Sequence, residues 1–232
     1  IMLGERYEEL ERRYDRLTET WNSTDFLDNR LEESRCRFTR ESLESRNPVT
    51  REFDVWYFGW GLPFPQHFVN GLVAVQKEVK QILGQGLHYF VKPHNMGTEL
   101  FRLKMPKDAI SEEDIKEARQ TVRKFLSDAY PFEIEYEGMG IAPEGVLVAK
   151  GYDSSYAVDR LRTGFGSAMP YASRDQINWI HIPMGRILER VGKDTFEKLR
   201  IYADKNSQRP IGNVIVSRIR LIHETQWYGE RK

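Results

Sequence analysis

Sulfur chemistry is nearly absent from this chain: its 232 residues hold one cysteine, Cys36. No intrachain disulfide can form, and a reducing, intracellular (cytoplasmic) setting is the expectation. No apolar run approaches the about 18 residues that a membrane span requires, so no membrane partner is expected. The opening IMLGERYEEL lacks the apolar stretch of a signal peptide. Net charge is missing as well, since 35 basic residues balance 35 acidic ones. Composition therefore points to no polyanionic partner, although a local basic patch stays open. There is no P-loop, GFGSAM is not a dinucleotide fingerprint, and no His/Cys/Asp/Glu spacing suits a metal. No cofactor is expected. A lone cysteine without a histidine partner makes a poor nucleophile.

What is present suffices for a sizeable core, with 40% hydrophobic and 12% aromatic residues. Residues 1–50 read as a helical extension. They are highly charged and lack glycine after Gly4. Leu3, Tyr7, Leu10, Tyr14, Leu17 and Trp21 recur at spacings of four and three, a heptad seam. Such a seam either lies on the main domain or mediates self-association. Asn22, Ser23 and Thr24 interrupt it, a second helix follows through DFLDNRLEESRCRF, and Pro48 ends helical structure in a linker.

Residues 51–232 read as one domain with the order β-α-β-β-α-β-β-α-β-α-β. DVWYFGW is an aromatic strand, and residues 65–84 form a helix with Phe68, Leu72, Val75, Val79 and Leu83 on one face. LHYFVK and TELFRLKM are short strands. Ser111 caps a helix that has acidic residues in its first turn. FEIEYEGMGIA and GVLVAKGY form a hairpin, and GNVIVSRIRLIHE reads as one closing strand. The predicted class is α+β: two lobes, two small and mostly antiparallel sheets facing a central cleft, helices outside, and the amino-terminal extension added.

Residues 179–188, WIHIPMGRIL, read as a strand with an unusual interior. Ile180, Ile182 and Met184 alternate with Trp179, His181 and Pro183. With the first set in the core, His181 faces a cleft wall. The plainer reading is a surface or hydrogen-bonded structural histidine.

HIPMGRI keeps the histidine, glycine, arginine and isoleucine of a HITLGRI-type motif, with Pro183 where Thr or Ser is expected. FEIEYEGMGIAPEGVLVAKG is similar to the hairpin of the same proteins, and VIVSRIRLIHET to their closing strand. Over roughly residues 54–225 the chain resembles the 2H phosphoesterase superfamily, which includes the LigT-like RNA 2'-5' ligases and cyclic phosphodiesterases. The resemblance implies two lobes, each with a His-x-Thr/Ser motif. It implies metal-independent hydrolysis or opening of a phosphodiester or cyclic phosphate in RNA or a nucleotide. One imidazole would be the base and the other the acid. His181 is the matching catalytic residue.

The first motif departs from the pattern. KPHNMGTELFRL stands where KPENLHITLRFL is expected, which puts Gly97 at the histidine position and Glu99 at the threonine position. Three explanations stand. The site has lost catalysis and binds a nucleotide or RNA, or nothing; or Glu99 replaces the missing base; or a local bulge brings His94 into the cleft with Thr98 as the phosphate-holding hydroxyl. Strand phase places Glu99 with Phe101, Leu103 and Met105 on an apolar face, unless a bulge shifts it. Arg186, Lys92 and Arg102 can bind an anion or make surface ion pairs. Tyr171 and Trp179 can stack on a base or serve as hydrophobic cover. An interaction protein acting through the heptad seam is the remaining reading.

Overall fold

The computed structural model describes residues 4–127 and 131–230. The amino-terminal segment forms α1 (Gly4–Arg12), α2 (Arg16–Glu19), α3 (Asp28–Arg35) and α4 (Arg40–Glu44). The expected long first helix breaks at residues 13–15, earlier than the Asn22–Thr24 interruption. Tyr14 lies at that break, and its hydroxyl is captured by the backbone: it donates to the Gly151 and Ile180 carbonyls and accepts from Gly151 N–H at 3.0 Å.

The heptad seam is consumed within the chain. Leu10, Tyr14 and Leu17 are 1%, 4% and 6% exposed and pack on Ala142, Val146, Val148 and Tyr152. Tyr7 stacks on Tyr152, and Trp21 meets Phe196 edge-on. Of the two readings of the seam, the structure shows the one in which it lies on the main domain. Leu3, its first residue, lies outside the described residues.

Among the described residues eight strands and four further α-helices follow: β1 (Glu52–Gly61), α5 (Gln66–Leu83), β2 (His88–Phe90), β3 (Gly97–Lys104), α6 (Glu112–Leu126), β4 (Phe132–Ile141), β5 (Val146–Tyr152), α7 (Ala157–Ala168), β6 (His181–Ile187), α8 (Lys193–Lys205), β7 (Pro210–Val216) and β8 (Arg220–Gln226). Ser111 caps α6 in a full capping box with Asp114. The closing run GNVIVSRIRLIHE, read as one strand, is two. Both halves are rich in β-branched residues, which hides the break at residues 217–219.

The class is α+β, with two wholly antiparallel sheets ordered β3-β1-β8 and β2-β6-β5-β4-β7. One main core joins them: Phe58, Trp60, Leu100 and Leu103 of the smaller sheet pack with Ile134, Tyr136, Ile180 and Met184 of the larger. Burying such side chains contributes about 1.5–3 kcal/mol each. Tyr136 Oη ties the two, accepting from Trp60 Nε1 at 2.9 Å and bonding Thr98 Oγ1 at 2.5 Å. The opposite faces of the two sheets bound a cleft, and α1 and α2 cover the part of the larger sheet beside it.

Candidate functional site: an arginine-lined cleft

The alternation read from residues 179–188 positions His181. Ile180, Ile182 and Met184 are fully buried, and His181 and Pro183 line the cleft. Strict alternation would then bury Arg186 with Met184. It does not, because the register of β6 against β5 slips at Met184: Val148 pairs with Pro183, and Leu147 with Gly185. This bulge turns Arg186 onto the His181 face. Buried Gln76 of α5 supports it, donating to Met184 O at 2.8 Å, which also accepts from Val91 N–H at 3.0 Å, and to Val91 O at 2.9 Å.

Strand β3 repeats the device. Phe58 pairs with Phe101 but Gly59 pairs with Glu99, so Leu100 is the extra residue. Before the bulge Gly97 and Glu99 face the cleft; after it Arg102 does. Arg162 of α7 supports this bulge, donating to Leu100 O at 2.8 Å and Glu99 O at 3.3 Å, and to Trp179 O at 2.5 Å just ahead of β6. GTELFR and HIPMGR therefore present matching positions from opposed sheets: Gly97 with His181, Glu99 with Pro183, Arg102 with Arg186.

Comparison with family models and with curated proteins finds no match. Among solved structures, the chain is similar to a conserved Agrobacterium tumefaciens protein of unknown function, with a TM-score of 0.50 at 16% identity over 73% of this chain and 76% of that one. A Thermus thermophilus protein gives 0.47 at 16% identity over 76% of this chain and 100% of that one. Escherichia coli LigT in apo form gives 0.43 at 12% identity over 76% and 98%. The likeness to the Agrobacterium protein is one of fold. The two strands expected to carry the motif positions, β3 and β6, both line this cleft.

Gly97, the position expected for a first histidine, is sterically closed to any side chain. A Cβ on Gly97 would lie 2.6 Å from Leu62 Cγ and 3.0 Å from Trp60 O. The expected core phase for Glu99 is overturned by the Leu100 bulge, which leaves Glu99 half-buried in the cleft. Its carboxylate is held by Arg102 Nε at 2.6 Å, and Arg102 also reaches Asp175 at 3.0 Å. The bulge does not bring His94 and Thr98 into the cleft. His94 is exposed on a turn, and Thr98 is buried on the core face against Tyr136.

Lys92 is exposed and paired with Glu230 at 2.6 Å, away from the cleft lining. Tyr171 packs on the main core and donates to Asp114 O at 3.3 Å. Trp179 sits on the His181 face but under the extension, against Tyr14 and edge-on to His181. Neither aromatic lines the cleft. Its aromatic wall is instead Phe53, Tyr57, Trp227 and Tyr228.

His181 Nδ1 is buried and has no hydrogen-bond partner. Burial, together with Arg162, Arg102 and Arg186, pushes the imidazole down to about 3. It is neutral at physiological pH. Arg186 is buried and has no carboxylate within ion-pair distance among the described residues. Its Nη1 donates to Ser34 Oγ at 2.6 Å and its Nε to Tyr228 Oη. Arg37 lies 3.8 Å over the Trp227 ring, and its buried Nε has no partner. Among the described residues no group of His, Cys, Asp or Glu converges as a metal site would.

Arg37, Trp227 and Tyr228 line the cleft without having been expected there. The equal five-residue spacing of Gly97 to Arg102 and His181 to Arg186 was visible beforehand. Nothing local marks Arg37, which reaches the cleft only through the fold of the extension.

Proposed function

We propose that this cleft binds the phosphate of a nucleotide or of RNA. One observation carries the reading: Arg186 and Arg37 line the cleft with no carboxylate partner among the described residues, beside a neutral imidazole whose Nδ1 is unsatisfied. Buried cations without counter-ions are costly, and a guanidinium matches phosphate geometry. A bound phosphate supplies the missing negative charge.

A second reading, metal-independent hydrolysis or opening of a phosphodiester or cyclic phosphate, keeps His181 as the base, with its basicity weakened by the burial that holds the imidazole down to about 3. A neutral imidazole with a free nitrogen can take the proton of an attacking water or ribose hydroxyl as the new P–O bond forms. The departing oxygen then needs a donor, and Glu99 fits that role only when protonated and released by Arg102. Glu99 and Pro183 occupy both phosphate-holding hydroxyl positions, which favours retention over turnover.

The test is incubation with 2',3'-cyclic and 2'-5'-linked nucleotides in EDTA, followed by melting temperature and product analysis. Binding raises the melting temperature by mass action. Product that disappears in His181→Ala establishes the second reading, and a raised melting temperature with intact nucleotide establishes the first. No shift and no product with any of them contradicts both.

A further inference from the structure

The amino-terminal segment does more than cover the sheet. Ser34, at the end of α3, accepts from Arg186 Nη1 at 2.6 Å and donates in turn to the Glu144 carbonyl. Three residues on, Arg37 crosses into the cleft wall, and the Phe38–Thr50 bridge pins the chain there. Trp227 lies between two partners: Phe53 stacks on it at 3.7 Å between ring centroids, and the Arg37 guanidinium lies over it at 3.8 Å. The stack fixes the plane of the guanidinium and leaves its edge to the cleft. Tyr228, held at φ +59°, completes this corner with its hydroxyl on Arg186 and its ring 5.6 Å from that guanidinium.

Charge bookkeeping separates this corner from the other side of the cleft. Arg102 is neutralised by Glu99 and Asp175. Arg37 and Arg186 have no such partner, and burial depresses the proton affinity of both, with Arg37 adding to the effect at Arg186. A phosphodiester brings one negative charge to two cations that have no ion-pair partner among the described residues, in a cleft that Glu224, held by the Tyr57 hydroxyl, also lines. A phosphomonoester brings about two.

We infer that the extension is a working wall of the ligand site, in which Arg37 and Arg186 together bind a dianionic phosphate, so that the cleft selects ligands ending in a phosphomonoester over singly charged diesters. This rests on the reading that the cleft takes a phosphate, and it adds both the residue from the extension and the class of ligand.

The probes are the dinucleotide ApA and its 5'-phosphorylated and 3'-phosphorylated forms, titrated calorimetrically in EDTA at low salt against the full chain and Arg37→Met. The full chain binds one phosphorylated form at least about tenfold more tightly than ApA, as one added charge-assisted contact gives. Arg37→Met removes most of that preference and changes ApA binding far less. Its melting temperature stays level or rises, because an unpaired cation has been removed. Equal affinity of the full chain for all three ligands overturns the inference and leaves the phosphate-cleft reading intact. So does an equal loss for all three in Arg37→Met, or a fall of several degrees in its melting temperature, which would make Arg37 a structural residue. Failure of the full chain to bind any of the three overturns both.

Discussion

His181 is the residue on which sequence and structure meet, and its environment gives it a pH signature. In the unfolded chain an imidazole takes up a proton near pH 6.5. In the folded chain burial and three arginines delay this to about pH 3. Between these values the unfolded state holds the extra proton. The contribution of neutral His181 to stability is therefore complete above about pH 6.5 and is lost progressively as pH falls towards 3, by up to about 1.4 kcal/mol per pH unit. Urea unfolding between pH 7.5 and 4.5 should show this slope in the wild type and a shallower one in His181→Gln; equal slopes would mean the imidazole is open to water. Gly97 makes the complementary case. Its Cβ would strike Leu62 and the Trp60 carbonyl, so Gly97→Ala is expected to lose about 1–3 kcal/mol in denaturant titration. Gly97→His, which restores the motif on paper, is expected to gain no phosphodiesterase activity unless Leu62 is also shortened.

At the scale of elements, the cleft depends on two bulges. Each rotates an arginine from the core face of its strand to the cleft face, and each is supported by one side chain, Gln76 behind Met184 and Arg162 behind Leu100. Arg162 also donates to Trp179 O and so joins β3 to the start of β6. Arg162→Met leaves three carbonyls without this donor, and a loss on the order of 3 kcal/mol is expected by chemical denaturation. Nucleotide affinity should fall with it, since Glu99 and His181 lose their common brace; unchanged affinity would show that the bulges hold without it. These bulges also explain what was legible beforehand. Period-two alternation correctly set Ile180, Ile182 and Met184 in the core. It failed one step past each bulge, assigning Glu99 to the core, because an extra residue in a ladder leaves no compositional mark. The seam from Leu10 to Leu17 was equally plain as an apolar stripe. Its destination, the face of β5, was not, because a stripe does not state its partner.

For the whole molecule, the extension, the two sheets and the carboxyl-terminal turn at Trp227–Gly229 all border one cleft. Leu10→Ala removes a fully buried side chain from the seam and should cost about 2–5 kcal/mol in unfolding experiments. Light scattering should show the same mass for this variant and the wild type, since the seam is occupied within one chain; a change in mass would return the seam to an intermolecular role. The α+β class, the cleft-facing phase of His181 and most of the element order could be read along the chain, but not the split of the closing run into β7 and β8 or the early break of the first helix. The two uncompensated arginines could not, because their isolation is a property of three-dimensional surroundings. The central claim, that these arginines make a phosphate site, is tested most directly by calorimetric titration of a nucleoside 2',3'-cyclic phosphate and of a terminally phosphorylated dinucleotide, at two salt concentrations in EDTA, into the wild type and Arg186→Met. The account predicts a well-folded variant whose affinity is at least about tenfold weaker and less dependent on salt. Equal affinity and equal salt dependence in the two proteins would contradict it.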